Sequence, residues 1–125
     1  MQTRRSTAVL VVEDDPLVRD VIVEMLKEAG FAVSAAAGAE EALRVLDKKR
    51  IDAVVTDIDM PGELDGVGLA QCIGQRKPEV GVILISGGPP RTLPPGTLFL
   101  AKPFTARCLL QSVTGLIGER LYTAS

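Results

Sequence analysis

Short apolar runs alternate along the chain with segments in which apolar residues recur every three or four positions. Continuous apolar runs of about four to eight residues, rich in β-branched side chains, are typical of strands buried on both faces of a parallel sheet. Such runs lie at residues 8–12, 31–35, 52–57, 80–85 and 97–101, the second being the weakest. Strands that alternate with amphipathic helices predict an α/β domain built on a parallel sheet.

Capping residues mark where the helices begin and end. Asp15-Pro16 predicts an N-cap followed by proline at the first helical position, and Gly30 ends that helix. The apolar residues at helical spacing in this first helix are Leu17, Val18, Val21, Ile22, Met25, Leu26 and Ala29. Three further helices are expected: one opens at Gly38, one runs from about Leu64 to Arg76, and one follows a cap at Thr105.

The segment between the fourth and fifth predicted strands lacks a helical pattern. Residues 87–90 are Gly-Gly-Pro-Pro, residues 94–96 are Pro-Pro-Gly, and only three residues separate the two groups. Proline removes a backbone donor and clashes with the preceding turn, so a segment of this composition cannot hold a regular helix. The helix that would follow the fourth strand is therefore expected to be missing or reduced to a turn.

The composition is that of a globular protein and excludes several kinds of site. Hydrophobic residues make up 46% and charged residues 24% of the 125 residues, which suits one domain with its own core. The absence of histidine removes histidine metal ligands, histidine-assisted nucleophiles and a histidine phosphoacceptor. The two cysteines, Cys72 and Cys108, have no CxxC spacing and are expected to be reduced thiols of a cytoplasmic protein.

We expect a disordered N-terminal segment over residues 1–7, one domain over residues 8–121 and no output domain. No apolar run approaches the roughly 18 residues of a membrane span, and a net charge of −2 gives no indication of nucleic-acid binding. Residues 1–65 hold 14 acidic and 8 basic residues, whereas residues 66–125 hold 2 acidic and 6 basic ones. The acidic residues are therefore a feature of the N-terminal half.

Several of these acidic residues stand where predicted strands end. The first strand is followed by Glu13, Asp14 and Asp15, and the third ends in Asp57 with Asp59 just beyond. Ligands of open parallel sheets bind beyond the carboxyl ends of the strands. If these two strands are neighbours, the carboxylates converge, and an all-oxygen cluster favours Mg²⁺ over Zn²⁺. A carboxylate in such a cluster can attack phosphorus and form an aspartyl phosphate.

Two more strand ends carry groups that suit phosphoryl transfer. Lys102 ends the fifth predicted strand and would add positive charge, and Ser86 follows the fourth, where its hydroxyl can bond a phosphoryl oxygen. Each group taken alone has a structural interpretation: Asp15 is a helix cap, Ser86 a turn serine and Lys102 a surface lysine. The functional hypothesis rests on the coincidence at four of the five strand ends.

In this order the motifs resemble those of response regulator receiver domains, the CheY-like superfamily of two-component signalling. They are Val-Val-Glu-Asp-Asp-Pro at 11–16, Asp-Ile-Asp-Met-Pro-Gly at 57–62, Asp-Gly at 65–66, Ser-Gly at 86–87 and Lys-Pro-Phe at 102–104. The resemblance covers about residues 8–118. It implies a doubly wound, flavodoxin-like fold with five parallel strands in the order 2-1-3-4-5.

The resemblance also implies the site and its partners. Asp57 would accept a phosphoryl group from a histidine kinase, from a phosphotransfer protein or from a small donor such as acetyl phosphate. Asp14, Asp57 and the backbone carbonyl of Asp59 would ligate Mg²⁺, and Glu13 would help through water. Lys102 would pair with Asp57 and then with the phosphoryl group.

A switch follows from the same resemblance. Ser86 would move to bond the phosphate, Phe99 would be the switch aromatic, and the Lys102-Pro103 peptide bond would be cis. Phe99 also has a simpler interpretation as a core residue of the fifth strand. The downstream partner would be a protein, with no direct contact to nucleic acid or membrane.

Two departures from the family pattern and two alternative functions accompany this interpretation. One extra residue lengthens the loop after Asp57 and puts the Glu63 carboxylate near the metal, and the missing helix alters the usual output surface.

One alternative is a receiver-like binding module that is never phosphorylated. The other is a haloacid-dehalogenase-like phosphatase, which Asp57-Ile58-Asp59 fits, but Pro61 and the lack of a later acidic pair oppose it. In the main interpretation the chain is not an enzyme beyond its own phosphorylation and autodephosphorylation.

Overall fold

Five parallel strands form a single sheet in the order β2-β1-β3-β4-β5. The strands are β1 (Ala8–Val12), β2 (Ala32–Ala36), β3 (Ala53–Asp57), β4 (Gly81–Ser86) and β5 (Thr97–Ala101). The helices are α1 (Pro16–Glu28), α2 (Ala39–Lys48), α3 (Gly66–Arg76) and α4 (Ala106–Ala124). This is the doubly wound, flavodoxin-like α/β fold with the strand order that the resemblance implies, so that prediction is confirmed.

The computed structural model describes residues 6–89 and 92–124, with side chains up to residue 118. Residues 1–5, most of the segment predicted to be disordered, lie outside the described part, and the predicted domain limits stay predictions. None of the helices in the described residues has the length and apolarity needed to cross a bilayer. Cys72 and Cys108 are both free thiols.

Apolar side chains on the two faces of the sheet pack against different helices. On one face, Val54 of β3 belongs to a buried cluster with Leu46 of α2 and Leu69 of α3. On the other, Val55 belongs to a cluster with residues of α1 and α4, such as Leu109. Alternate residues of a strand point to opposite faces, which explains why the central strands are apolar without interruption.

The helix caps largely follow the sequence, with one correction. Asp15 caps α1 by accepting from the backbone N–H of Leu17 at 2.9 Å. The third helix begins at Gly66 rather than near Leu64, because Asp65 is itself the N-cap: its backbone is extended and its carboxylate accepts from the N–H of Gly68 at 2.9 Å. The second, third and fourth strands each differ by one residue from their predicted limits.

No helix occurs between β4 and β5 in the described residues 87–89 and 92–96, as the proline and glycine content predicts. The consequence is visible in the burial of the two strands. All six residues of β4 are buried, whereas its register partner β5 is half-buried over its first four residues and exposed at Ala101.

Candidate functional site

The carboxyl ends of β1 and β3 bring three acidic side chains together. The two strands are neighbours, with Val12 opposite Thr56, so Glu13 and Asp57 leave the sheet side by side. Carboxylate oxygens of Glu13, Asp14 and Asp57 all lie within 4.8 Å of one another. Glu13 and Asp57 are buried and Asp14 is exposed, which leaves the cluster open to solvent on one side. Glu63, expected near the metal, is not one of the three.

Lys102 supplies a positive charge to this cluster. Its ammonium Nζ donates to Asp57 Oδ2 at 2.8 Å and lies 3.5 Å from Glu13 Oε1. Burial alone would lower the pKa of Lys102, but the hydrogen bond to Asp57 and the charges of Asp57 and Glu13 outweigh it and raise the pKa. The following peptide bond, Lys102-Pro103, is cis, as predicted.

Both oxygens of the Asp57 carboxylate have a donor. Lys102 holds Oδ2, and the backbone N–H of Asp59 donates to Oδ1 at 3.0 Å. Asp57 is the last residue of β3 and is 7% exposed. The Asp57 carboxylate is therefore held by one donor on each oxygen, and its remaining open side faces Glu13 and Asp14.

The cluster holds more negative charge than the lysine balances. The pKa of Glu13 is raised from 4.5 to about 7, chiefly by burial, and also by hydrogen bonds and charge from Asp14 and Asp57, against the lowering effect of a backbone hydrogen bond from Asp15. Three crowded carboxylates without histidine or cysteine form an all-oxygen donor set of the kind that Mg²⁺ takes. The residues therefore fit a divalent cation, which would offset the smaller part of the rise in the pKa of Glu13 that comes from the neighbouring carboxylates.

Ser86 lies at the end of β4, one strand away from Asp57, and is 1% exposed. Its hydroxyl donates to Asp59 Oδ2 at 3.3 Å and accepts from the backbone N–H of Gly88 at 3.0 Å. Thus the structure brings the predicted serine to the same edge as the acids. The contact between the Ser86 hydroxyl and the Asp59 carboxylate was not anticipated from the sequence, which pointed only to the backbone carbonyl of Asp59.

Phe99 lies in β5 opposite Leu84 and is half-buried. It packs against the cluster on the α2 and α3 face, while its neighbours Leu98 and Leu100 pack on the other face. Phe99 thus faces the side on which no helix covers β5 in the described residues. Its position suits both a core role and a switch role.

Gly66 is a site residue whose role the sequence did not reveal. A Cβ atom at this position would lie 2.2 Å from the carbonyl oxygen of Asp57 and 2.7 Å from the Cα atom of Ile58. The Gly66 N–H also donates to the carbonyl of Ile58 at 3.0 Å. The first residue of α3 is therefore packed directly against the backbone of Asp57. The sequence did contain the Asp65-Gly66 pair as one of the family motifs, but the motif alone did not explain why a glycine is needed there.

An apolar patch lies beside the lysine. Leu17 is 77% and Val21 is 54% exposed, although both belong to the apolar stripe of α1 that the sequence predicts. Together with Met25 they line a shallow cleft completed by Lys102, Pro103 and Phe104. We call the exposed surface of Leu17, Val21, Pro103 and Phe104 the α1 patch. The apolar stripe of α1 is thus wider than the part the core covers.

Comparisons with known proteins agree with this geometry. A family model described as the response regulator receiver domain matches residues 9–114. The chain is 42% identical over 80 residues to a putative response regulator, NtrX-like, of Rickettsia conorii, an alignment that covers 63% of this chain and 17% of that protein. It is 34% identical over 123 residues to the sensor kinase CckA of Brucella abortus, covering 92% of this chain and 13% of that protein. The chain spans less than a fifth of the length of these relatives.

Solved structures show the same fold. A CheY-like receiver domain protein from Methanospirillum hungatei superposes with a TM-score of 0.88 at 23% identity, covering 95% of this chain and 99% of that one. The response regulator TrrA of Thermotoga maritima, in complex with Mg²⁺ and BeF, superposes with a TM-score of 0.80 at 29% identity, covering 88% and 98% of the two chains. These similarities extend over nearly the whole described fold.

Proposed function

This chain belongs to the family of response regulator receiver domains, and we propose that it is a phosphorylation-dependent switch of two-component signalling with Asp57 as phosphoacceptor. The observation that carries the proposal is the environment of Asp57, a buried carboxylate at a strand end held by Lys102 on one oxygen and by a backbone N–H on the other. The phosphoryl donor is a histidine kinase, a phosphotransfer protein or a small acyl phosphate. The cellular compartment is the cytoplasm.

The transfer step follows from how the Asp57 carboxylate is held. One of its oxygens attacks the phosphorus of a phosphohistidine, the new O–P bond forms as the P–N bond breaks, and the imidazole leaves with its electron pair and takes a proton. The attacking oxygen is Oδ2, because the flexible side chain of Lys102 can follow the negative charge onto a phosphoryl oxygen. Oδ1 stays anchored by the N–H of Asp59, which the backbone fixes.

The acidic cluster is proposed as a magnesium site. Asp14, Asp57 and the backbone carbonyl of Asp59 would ligate the ion, and Glu13 would contribute through water. When bound, Mg²⁺ supplies positive charge that neutralises phosphoryl oxygens. The similarity to TrrA, whose structure contains Mg²⁺ and BeF, supports this assignment.

After phosphorylation, Ser86 and Phe99 change position. The Ser86 hydroxyl turns toward a phosphoryl oxygen, and Phe99 moves inward from its half-buried position, which shifts the population toward a second state. A protein partner then recognises the altered surface around β4 and β5. That surface differs from the usual family arrangement because no helix covers it in the described residues.

The α1 patch is proposed as the docking surface for the histidine-bearing donor. A donor that places an imidazole against Asp57 must lie over the carboxyl edge of the sheet. The patch adjoins that edge because Lys102, which contacts Asp57, lines the same cleft as the patch residues. Leu17 and Val21 are exposed and belong to neither core cluster of the described residues, so they offer apolar area to a partner. Large exposed apolar side chains grouped on a surface are typical of interaction sites.

The proposed function is tested by phosphorylation with acetyl phosphate and Mg²⁺, followed by intact mass. We expect a gain of about 80 Da that is absent in Asp57→Asn and in the presence of EDTA. A folded, Mg²⁺-binding protein that gains no mass with acetyl phosphate or with a panel of phosphorylated histidine kinases would instead be a receiver-like binding module.

The docking surface is tested separately with Val21→Lys and a matched control, Gln71→Lys, which adds the same charge at an exposed position of α3 on the opposite face of the sheet. Val21→Lys should slow transfer from a histidine kinase at least about tenfold, because it puts a charge in a desolvated apolar contact. Labelling by acetyl phosphate should not change in either variant. Equal kinase rates in the two variants would remove the α1 patch from the interface.

A further inference from the structure

The Asp59 carboxylate makes a contact that the proposed switch must break. The carboxylate accepts a hydrogen bond from the Ser86 hydroxyl, with 3.3 Å between Ser86 Oγ and Asp59 Oδ2. Ser86 is 1% exposed, so water has little access to that hydroxyl. In the proposed mechanism the same hydroxyl has to bond a phosphoryl oxygen on Asp57.

The geometry makes the two contacts mutually exclusive. A serine hydroxyl has one proton to donate, so it cannot serve the Asp59 carboxylate and a phosphoryl oxygen at once. The backbone of Asp59 cannot move with Ser86 to keep the contact, because the Asp59 N–H donates to Asp57 Oδ1 at 3.0 Å. Asp59 is thus fixed beside the phosphoacceptor through its backbone while its side chain turns toward Ser86.

We propose that Asp59 is a positioning residue whose carboxylate holds the Ser86 hydroxyl in its resting place, so that a phosphoryl group must compete for it. This inference rests on the proposed function. A state that requires a broken contact is populated less, and any ligand of that state binds more weakly by the same factor. Removal of the carboxylate therefore favours the switched state without adding a contact to the phosphoryl group.

Ser86 is also hydrogen-bonded to Gly88, in the connection between β4 and β5. The Ser86 hydroxyl accepts from the backbone N–H of Gly88 at 3.0 Å, so Ser86 joins the loop after β3 to the start of the segment after β4. When Ser86 turns toward the phosphoryl group, the Gly88 N–H loses this acceptor. The Gly88 amide is therefore a reporter of the position of Ser86.

The test is a double-mutant cycle with Mg²⁺ and beryllofluoride, a stable phosphoryl mimic, on the full chain. Bound beryllofluoride is followed by fluorine NMR in the unmutated protein, Asp59→Ala, Ser86→Ala and the pair, and the Gly88 amide resonance is followed where Ser86 is present. Asp59→Ala keeps the backbone carbonyl and N–H that the site uses. We expect it to tighten beryllofluoride binding about fivefold, and by less than about twofold when Ser86 is already alanine.

The cycle separates the hydrogen bond from simple charge repulsion. Repulsion between the Asp59 carboxylate and the anion does not need Ser86, so an equal tightening in both backgrounds would overturn the proposal. Glu63→Ala removes an exposed carboxylate from the same loop and is the matched control. A tightening by Glu63→Ala as large as that by Asp59→Ala would likewise overturn it.

Failure of this inference is distinguishable from failure of the proposed function. If the unmutated protein neither binds beryllofluoride nor gains mass from acetyl phosphate, the proposed function is wrong. If it does both and the cycle shows no coupling between Asp59 and Ser86, only the positioning role is wrong.

Discussion

The connections that follow β3 and β4 leave the same edge of the sheet from neighbouring strands, and they are built in opposite ways. Residues 58–65 turn into α3, whose first residue, Gly66, packs against the backbone of Asp57. Residues 87–96 connect β4 to β5, and no helix occurs among the described ones, 87–89 and 92–96. The first connection contains three acidic residues, Asp59, Glu63 and Asp65, and leads into the close backbone contact of Gly66, whereas Arg91 is the only charged residue in the sequence of the second.

The difference shows that the chemical site and the neighbouring surface depend on different parts of the fold. The position of Asp57 is fixed by contacts that allow little change of shape. The second connection returns the chain to β5. Among its described residues, Gly88 contacts the Ser86 hydroxyl and Leu93 packs against the cluster on the α2 and α3 face. The cluster of Glu13, Asp14 and Asp57 is therefore present although no helix covers the neighbouring surface in the described residues.

The largest effect is expected where the first connection is tightest. Gly66→Ala places a methyl group 2.2 Å from the Asp57 carbonyl oxygen, so α3 must move away from β3. The clash is with backbone, which cannot change rotamer, and we expect a loss of about 3 kcal/mol in the free energy of unfolding, together with slower phosphorylation. Urea denaturation and acetyl phosphate labelling measure the two effects.

The matched control is Gly74→Ala in the same helix, where an added Cβ meets nothing within 4 Å. Alanine is the better helix former, so this variant should gain about 0.5 to 1 kcal/mol. If both variants change stability alike, helix propensity rather than the close approach to Asp57 governs Gly66.

The next effect concerns the acidic cluster of Glu13, Asp14 and Asp57, which lies beside the first connection, and it predicts a pH dependence. In the metal-free protein, burial and the neighbouring carboxylates raise the pKa of Glu13 from 4.5 to about 7. Between these pH values the folded protein retains a proton that the unfolded chain releases. The free energy of unfolding should therefore fall by about 3 kcal/mol as pH rises from about 4.5 to about 7, and level off above.

Glu13→Gln, which cannot ionise, should lack this fall, and denaturation at pH 4.5, 6 and 8 in EDTA compares the two proteins. Mg²⁺ should stabilise the unmutated protein more at pH 8 than at pH 5, because it competes with the proton for the same cluster. An identical pH slope in both proteins would show that Glu13 is not the group that titrates.

The smallest effects are expected in the second connection. Leu93 is half-buried against the cluster on the α2 and α3 face, so Leu93→Ala should cost about 1 kcal/mol, below the usual loss for a fully buried leucine. Thr92 is exposed, and Thr92→Ala should change stability by less than about 0.5 kcal/mol. A loss above about 2 kcal/mol in either variant, measured by urea denaturation, would show that this connection is as tightly built as the first.

Local patterns predicted most of the fold because each is read over a few residues. Continuous apolar runs identified all five strands, and Asp15 and Thr105 marked two helix starts that the hydrogen bonds confirm. The density of proline and glycine predicted the missing helix. The start of α3 was predicted two residues early, because Leu64 extends the apolar pattern and only the backbone geometry at Asp65 identifies the cap.

The sequence by itself determined the α/β class, the missing helix and the groups at the strand ends, because these follow from chain periodicity and residue chemistry. Only the tertiary structure decided which side chains meet. The close approach of Gly66 to Asp57 and the hydrogen bond from Ser86 to Asp59 join residues of separate elements. Leu17 is exposed because no other element packs over that part of α1 in the described residues. Such contacts depend on distances between elements, which periodicity along one segment does not contain.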